Sequence, residues 1–200
     1  WETATGSLSN ALKVATPGKE IWVASGTYFP SLCKHCTKAD RATSFKIPSG
    51  VKVYGGFAGH ETSTKHRNPK RNTAMLSGQI GSDESTDNSQ TIVYFENASK
   101  ETLLDGFTIH GGLADNKEGG DGHASRSGAG IYNIATEGSL ESIPSIKNCL
   151  IYENNAAEGG AIFSFSDGGN AAVKVVNCVF LKNKSENAGG AVMDNAQNGK

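Results

Sequence analysis

One motif occurs twice in this chain at a spacing that restricts the fold. NCLIYENNAAEGGAIF begins at Asn148 and NCVFLKNKSENAGGAVM begins at Asn177, which is 29 positions later (177 − 148). The glycine pairs of the two copies, at 159–160 and 189–190, are 30 positions apart, so the second copy has one extra residue before its glycines. A period near thirty residues predicts either an array of helices or a stack of short strands.

The residues inside the repeat favour strands. Its apolar runs are three to five residues long, are rich in Ile, Val and Phe, and are bounded by Gly and Asn. β-branched and aromatic residues suit strands, whereas Gly and Asn suit the tight turns between them. One period then holds about three strands and three turns, which is the size of one coil of a parallel β-helix.

Less regular copies of the repeat precede this pair. The segment LLDGFTIHGG at 103–112 aligns with IKNCLIYEN at an offset of 42 (146 − 104), which places Ile109 with Ile151. The extra length lies in 113–127, a polar, Gly-rich stretch that we expect to be a loop inserted into one coil. The segments VKVYGGF, TAMLSGQI and TIVYFENA predict further short strands upstream.

The start of the chain has a helical pattern. SLSNALKVA begins at Ser7, a good N-cap residue, and spaces its apolar residues for one helical face. We expect an amphipathic helix within residues 1–20 that caps the first coil, because exposed strand edges promote aggregation. The sequence up to Lys200 offers no second cap, so we expect 1–200 to be a single β-helix domain of a longer chain.

The order of these motifs resembles that of right-handed parallel β-helix repeat proteins. The resemblance rests on ALKVATPGKEIWVASGTYFP, FKIPSGVKVYGGFAGHETS, LLDGFTIHGG and the repeated NCxxxxN followed by GGA[IV]. It is closest to large secreted or surface proteins of Bacteroidetes-type bacteria, and it extends more weakly to polymorphic outer-membrane protein repeats. It implies an all-β, right-handed solenoid that is secreted or located at the cell surface. It implies no particular activity, because such coils serve adhesins and polysaccharide enzymes alike.

Charge and hydropathy narrow the possible partners. The 200 residues carry a formal net charge of −1, whereas nucleic acids and anionic membranes attract chains with a basic excess. No apolar run in the sequence approaches the roughly 18 residues of a membrane span. We therefore expect no nucleic-acid partner and no membrane insertion, and we expect a glycan or a surface protein as partner.

The four cysteines fall into two environments. Cys149 and Cys178 occupy equivalent sites in adjacent coils between apolar residues, so we expect stacked thiols inside the coil. Cys33 and Cys36 lie in the polar segment CKHC. That segment fits a small local disulfide in an oxidising compartment, half of a zinc site or two free thiols, and the disulfide is the favoured interpretation.

Asparagines repeat at two corners of the predicted coils. Asn148 aligns with Asn177, and Asn154 aligns with Asn183. Asparagine tolerates left-handed backbone, and its amide both donates and accepts hydrogen bonds, so stacked asparagines can link one coil to the next. We interpret these four residues as structural.

Candidate ligand-binding residues are concentrated in and beside the inserted loop. They are His110, Asp115, Glu118, Asp121 and His123. A solvated polar loop is the favoured interpretation of these residues, and their spacing matches neither an EF-hand nor the calcium-binding repeat of β-rolls. We expect no cofactor and no metal, with calcium as an open alternative.

The predicted alignment places no pair of carboxylates in one row, so no catalytic residue is assigned. Asp105 aligns with Lys147, and Lys147 aligns with Val176. A polysaccharide lyase or glycoside hydrolase of β-helix fold would need such a pair, or acidic metal ligands beside a basic residue. We therefore expect an adhesin-like structural and binding module, with those enzymes as the alternative.

Strand alternation predicts an outward apolar block on the last two coils. Its members are Leu150, Tyr152, Val179 and Leu181. Either the 113–127 loop or the chain between Glu137 and Ser145 covers this block, or it contacts a neighbouring domain or a second copy.

Overall fold

The computed structural model describes residues 1–2, 4–31, 41–80, 85–139 and 141–197. Within them the chain forms one α-helix, α1 (Leu8–Val14), and twenty strands. Short 3-10 turns occur at Thr64–His66 and Ser85–Asp87. No helix in this part of the chain has the length and apolar character required to cross a membrane.

The strands form five successive repeats. Repeat 1 contains β1 (Glu20–Ala24), β2 (Gly26–Tyr28) and β3 (Phe45–Lys46). Repeat 2 contains β4 (Lys52–Phe57), β5 (Ala74–Ser77) and β6 (Val93–Glu96). Repeat 3 contains β7 (Leu103–Asp105), β8 (Phe107–His110), β9 (Leu113–Ala114), β10 (Ile131–Ala135) and β11 (Glu141–Ser142).

The last two repeats have the same order of elements. Repeat 4 contains β12 (Ser145–Lys147), β13 (Leu150–Tyr152), β14 (Asn155–Glu158), β15 (Ile162–Asp167) and β16 (Asn170–Ala171). Repeat 5 contains β17 (Lys174–Val176), β18 (Val179–Leu181), β19 (Lys184–Ala188) and β20 (Val192–Gln197).

Each repeat contributes one strand to each of three five-stranded sheets. Sheet A has the order β1-β4-β7-β12-β17, sheet B has β2-β5-β8-β13-β18, and sheet C has β3-β6-β10-β15-β20. Strands β9, β14 and β19 form a smaller sheet, and β11 pairs with β16. The pairings between these strands are all parallel. The prediction of an all-β fold of parallel strands is confirmed.

The register between repeats follows the spacing of the sequence motifs. Leu150 pairs with Val179, 29 positions later, and Thr108 pairs with Leu150, 42 positions later. Because side chains alternate along a strand, this register places Ile109 and Ile151 on the inner face of sheet B, where both are completely buried. Burial of each such side chain contributes about 1.5–3 kcal/mol, and truncating Ile151 to Ala would cost about 2–5 kcal/mol.

The helix predicted near Ser7 is present and is capped by that residue. Ser7 Oγ accepts a hydrogen bond from the Asn10 backbone N–H at 3.2 Å, which satisfies one of the free donors of the first turn. Leu8 and Leu12 are buried on the face that packs against β1 and β3 of repeat 1. The helix ends at Val14, close to Pro17, which cannot continue it.

Left-handed backbone marks two corners of the repeats, and one differs from the prediction. At the first corner, Asn148 and Asn177 have φ of 53° and 52°, as expected. At the second corner the positive φ lies one residue before the asparagines, at Glu153 and Lys182. The Asn154 side chain is instead fully buried and hydrogen-bonded, so the asparagine is required there for its amide group rather than for its backbone.

The inserted loop is shorter and better packed than predicted. Leu113–Ala114 belongs to β9, which pairs with β14, so the loop itself is 115–127. Tyr132 Oη donates to the Gly122 carbonyl at 2.6 Å, and Thr91 Oγ1 donates to the Ala124 carbonyl at 3.0 Å. These contacts place the loop against the outer face of sheet C. The side of the loop that faces the sheet is therefore packed rather than solvated.

Candidate functional site

Two rows of side chains cross the outer face of sheet B. Each row runs through one position of β5, β8, β13 and β18, because parallel in-register strands align equivalent residues. The first row is Met75, Thr108, Leu150 and Val179, and the second is Ser77, His110, Tyr152 and Leu181. We call the surface formed by these eight residues the sheet B face.

The sheet B face contains the four apolar residues predicted to point outward. Val179 and Leu181 are 58% and 50% exposed, whereas Leu150 and Tyr152 are half-buried. The inserted loop, predicted as 113–127 to be one cover for this block, makes its contacts at sheet C instead. The apolar block is therefore accessible in repeat 5.

The centre of the face is an aromatic stack. The rings of His110 and Tyr152 lie 4.9 Å apart between centroids and are nearly parallel, with an interplanar angle of 5°. Burial lowers the pKa of His110, and the neighbouring Glu153 carboxylate opposes this shift. The imidazole is therefore neutral at pH 7, so the stack is an uncharged, rigid element.

A groove of about 850 Å³ with a mixed polar and apolar lining borders the first row of the face. Arg67 contributes to its wall, and its guanidinium forms a 2.7 Å ion pair with the Asp105 carboxylate and donates to the Gly55 carbonyl at 2.9 Å. Asn148 Nδ2 donates to Asp105 Oδ1 at 2.8 Å, and Asn177 Nδ2 donates to Asn148 Oδ1 at 2.6 Å. A continuous polar ladder thus runs along the edge of the face from repeat 3 to repeat 5.

The second asparagine pair lies in the corner beyond the face, where Asn154 is fully buried and Asn183 is half-buried. Asn154 Nδ2 donates to Asn183 Oδ1 at 2.9 Å, and Asn154 Oδ1 accepts from the Gly112 backbone N–H at 3.0 Å. Asn183 Nδ2 donates to the Ile151 carbonyl at 2.8 Å. These bonds join repeats 3, 4 and 5 and engage both side-chain amides in contacts within the protein.

The two stacked cysteines are free thiols on the inner side of the same corner as Asn148. Cys149 is buried and its Sγ donates to the Lys147 carbonyl at 3.1 Å, whereas Cys178 is partly exposed. Burial raises the pKa of Cys149 well above its usual range. A side-chain hydrogen bond from Cys149 lowers the pKa of Cys178, and burial opposes this shift. Cys178 is therefore the more reactive thiol of the pair.

The structure does not gather the predicted ligand-binding cluster into one site. Asp115 forms a 2.6 Å ion pair with Arg41, Asp121 lies 3.7 Å from Arg126, and His123 Nδ1 lies 2.8 Å from Ser125 Oγ. His110 belongs to the sheet B face and Glu118 is exposed in the loop. Among the described residues there is no group of three or more His, Cys, Asp or Glu side chains placed to hold a metal ion.

The predicted disulfide candidates Cys33 and Cys36 lie outside the described residues. Comparisons of the chain with protein-family models, with curated proteins and with solved structures find no match. The candidate site is therefore defined by the geometry of the chain itself.

Two residues that organise the groove were not singled out by the sequence analysis. Arg67 lies in a loop outside the repeat pattern, and it pairs with Asp105 across 38 positions. Asp105 is in register with Lys147, so the alignment of the repeats gave no sign of its ion pair with Arg67. The sequence signal for Arg67 was a cationic residue two positions before Pro69 in a polar loop. Such residues are too common to identify an ion pair.

Proposed function

We propose that this chain is a right-handed parallel β-helix repeat protein, secreted or held at the cell surface, that acts as a structural and binding module. The strand order supports the solenoid, because each repeat adds one parallel strand to the same three sheets in the same sequence. Such an arrangement extends along one axis and offers long, flat faces to partners.

The observation that carries the binding role is the apolar block on the sheet B face. Leu150 and Tyr152 are half-buried on the outer side of β13, and Val179 and Leu181 continue their two rows on β18. A contiguous patch of this kind on a rigid sheet is typical of an interaction surface, whereas a single exposed leucine is not. Tyr152 is the anchor of the surface, because aromatic residues dominate contact energies.

The chemistry of the face favours a protein partner over a glycan. His110 covers one face of the Tyr152 ring, and Leu181 occupies the next position in the row. One face of the Tyr152 ring is thus occupied by His110, and the aliphatic groups beside the ring suit an apolar protein surface.

The carboxylates beside the face support binding rather than polysaccharide cleavage. Asp105 is paired with Arg67 and accepts from Asn148, and Glu153 lies 3.4 Å from the Lys182 ammonium. A glycosidase needs one carboxyl group kept protonated beside a second, ionised one. Asp105 and Glu153 instead each pair with a cationic side chain of the same chain, which is the arrangement of structural ion pairs.

The proposal is tested by measuring binding and cleavage together. The chain is applied to immobilised extracellular-matrix proteins such as collagen and fibronectin, and also to soluble polysaccharides in a reducing-sugar assay. Saturable binding to a protein with no release of sugar supports the module. Release of reducing ends contradicts it and favours the lyase or hydrolase alternative, and the absence of saturable binding to any of the proteins contradicts the contact role of the sheet B face.

A further inference from the structure

Both tryptophans of the chain line one open groove, which is separate from the sheet B face. The sequence contains two Trp, at positions 1 and 22. The groove has a volume of about 690 Å³ and lies between the N-terminal segment, α1 and the edge strand β1. Tyr28 and Glu20 also contribute to its wall. A groove of this size that combines aromatic walls with a few polar groups has the character of a small-ligand site.

The indole rings are held in fixed orientations. Trp22 stacks on Phe57 with centroids 5.0 Å apart and an interplanar angle of 8°, and Trp1 is tilted by 45° to Trp22 at 6.5 Å. Trp22 Nε1 donates to Glu20 Oε2 at 3.2 Å, and Trp1 Nε1 donates to the Glu61 carbonyl at 2.9 Å. The two rings therefore form a corner rather than a mobile pair.

Simple packing does not account for this corner. Trp1 remains 40% exposed, although its N–H is fixed and Phe57 beneath it is completely buried. The exposed part of the indole gains nothing from burial, so packing alone does not require a ring of this size at this position. The exposed aromatic surface and the polar groups at its rim face the same open space.

We propose that this groove binds a sugar chain whose rings are neutral or carry an amino group. The apolar C–H face of a sugar ring packs against an electron-rich indole face, and sugar hydroxyls donate to carboxylate oxygens. Glu20 is exposed and supplies such a carboxylate at the rim of the groove.

The charge of the groove selects among sugars. Glu61 also lines it, but its carboxylate already accepts hydrogen bonds from the backbone N–H groups of Ala58, Gly59 and His60. Glu20 is exposed and accepts from Trp22 Nε1, so its carboxylate keeps acceptor capacity for a ligand, and the groove-lining residues in the described part of the chain include no Lys or Arg. Like charges repel, so uronic-acid chains are disfavoured.

Intrinsic tryptophan fluorescence tests the proposal directly, because both tryptophans of the sequence line the groove. The chain is titrated with neutral hexasaccharides of glucose, xylose and mannose, with chito-oligosaccharides and with oligogalacturonate. We expect a saturable change in emission with at least one neutral or amino sugar and none with oligogalacturonate. No change with any neutral or amino sugar up to about 10 mM overturns the proposal.

Variants separate the groove from the rest of the molecule. Trp1→Ala and Glu20→Gln alter exposed groups, and each should weaken sugar binding about tenfold when it is measured by calorimetry. Tyr152→Ala removes an aromatic ring from the sheet B face and should leave the affinity unchanged. Equal affinity in Trp1→Ala, Glu20→Gln and wild type, or tighter binding of oligogalacturonate, overturns the assignment. Because Tyr152 lies outside the groove, this result is independent of the protein-binding role of the sheet B face.

Discussion

The side-chain amide of Asn177 donates a hydrogen bond of 2.6 Å to Asn148 Oδ1, which lies 29 positions earlier in the preceding repeat. Asn148 extends this chain of hydrogen bonds, because its own side-chain amide donates to Asp105 at 2.8 Å. Both asparagines also adopt left-handed backbone. One residue type thus meets two requirements at this corner: a positive φ and a link between repeats.

Replacing Asn148 should separate these two roles. Asn148→Ala loses the hydrogen bond to Asp105 and places a Cβ-bearing residue without a polar side chain at φ 53°, so we expect a loss of about 2–4 kcal/mol in unfolding free energy. Asn148→Gly keeps the backbone freedom and should lose clearly less. Urea denaturation measures both variants. Equal destabilisation by Ala and Gly would show that the left-handed backbone contributes nothing.

Cys178 should be the thiol that reacts in the native protein. In a background with Cys33→Ser and Cys36→Ser, we expect one fast-reacting thiol per chain with a maleimide, and Cys149 should react only on unfolding. Because a hydrogen bond from Cys149 lowers the pKa of Cys178, the labelling rate should rise at a lower pH than for an ordinary cysteine. Cys149→Ala should move that profile to higher pH. Equal rates for the two thiols would contradict the inward placement of Cys149.

Glu61 should make stability depend on pH in the acid range. Backbone N–H groups donate hydrogen bonds to the Glu61 carboxylate, and the one from Ala58 has the largest effect. These bonds lower the pKa of Glu61 from 4.5 to about 2. Because the pKa of Glu61 is lower in the folded protein than in the unfolded chain, the ionised carboxylate stabilises the fold at pH values above about 4.5. This stabilisation is lost as pH falls from about 4.5 to about 2. The melting temperature of Glu61→Gln should therefore be below that of wild type at pH 7, and the difference should close near pH 2. Glu118→Gln, in the exposed loop, is the matched control and should show no difference at either pH.

The 115–127 loop should stabilise the fold. Tyr132→Phe removes the hydrogen bond to the Gly122 carbonyl and should cost about 0.5–1.5 kcal/mol. Tyr94 stacks on Tyr132 at 5.4 Å, and its hydroxyl has no hydrogen-bond partner within the described ranges, so Tyr94→Phe is the matched control. Deleting 116–126 should cost more than Tyr132→Phe, because it also uncovers the ring of Tyr132. A deletion variant as stable as wild type would show that the loop is only an appendage.

The repeat made the strands and their register predictable. An offset of 29 placed Leu150 beside Val179, and an offset of 42 placed Ile109 beside Ile151, and both pairings are observed. This is possible because a parallel stack aligns equivalent residues, so spacing along the chain is converted directly into neighbours in space. The N-cap at Ser7 is equally local, since it depends on residues three positions apart.

Contacts made by the loops could not be predicted from the spacing of the repeats. Arg67 binds Asp105, and Arg41 binds Asp115 across 74 positions, although neither arginine belongs to a repeat. The loop near His123 has no hydrophobic period, yet Tyr132 and Phe165 next to Gly122 hold it in place. Composition predicted a solvated loop because the apolar contacts of that loop come from the sheet beneath it.

The contact role of the sheet B face is tested most directly by placing charge on it. Leu181→Asp should weaken binding to the protein partner found in the matrix panel by at least about tenfold, because a carboxylate would be buried against an apolar surface. Val14→Asp is the control, since Val14 is a β-branched residue 80% exposed on α1, away from the face. Surface plasmon resonance with both variants, after unfolding midpoints are shown to match wild type, gives the answer. The account predicts loss of affinity in Leu181→Asp alone; unchanged affinity in Leu181→Asp, or equal loss in both variants, would contradict it.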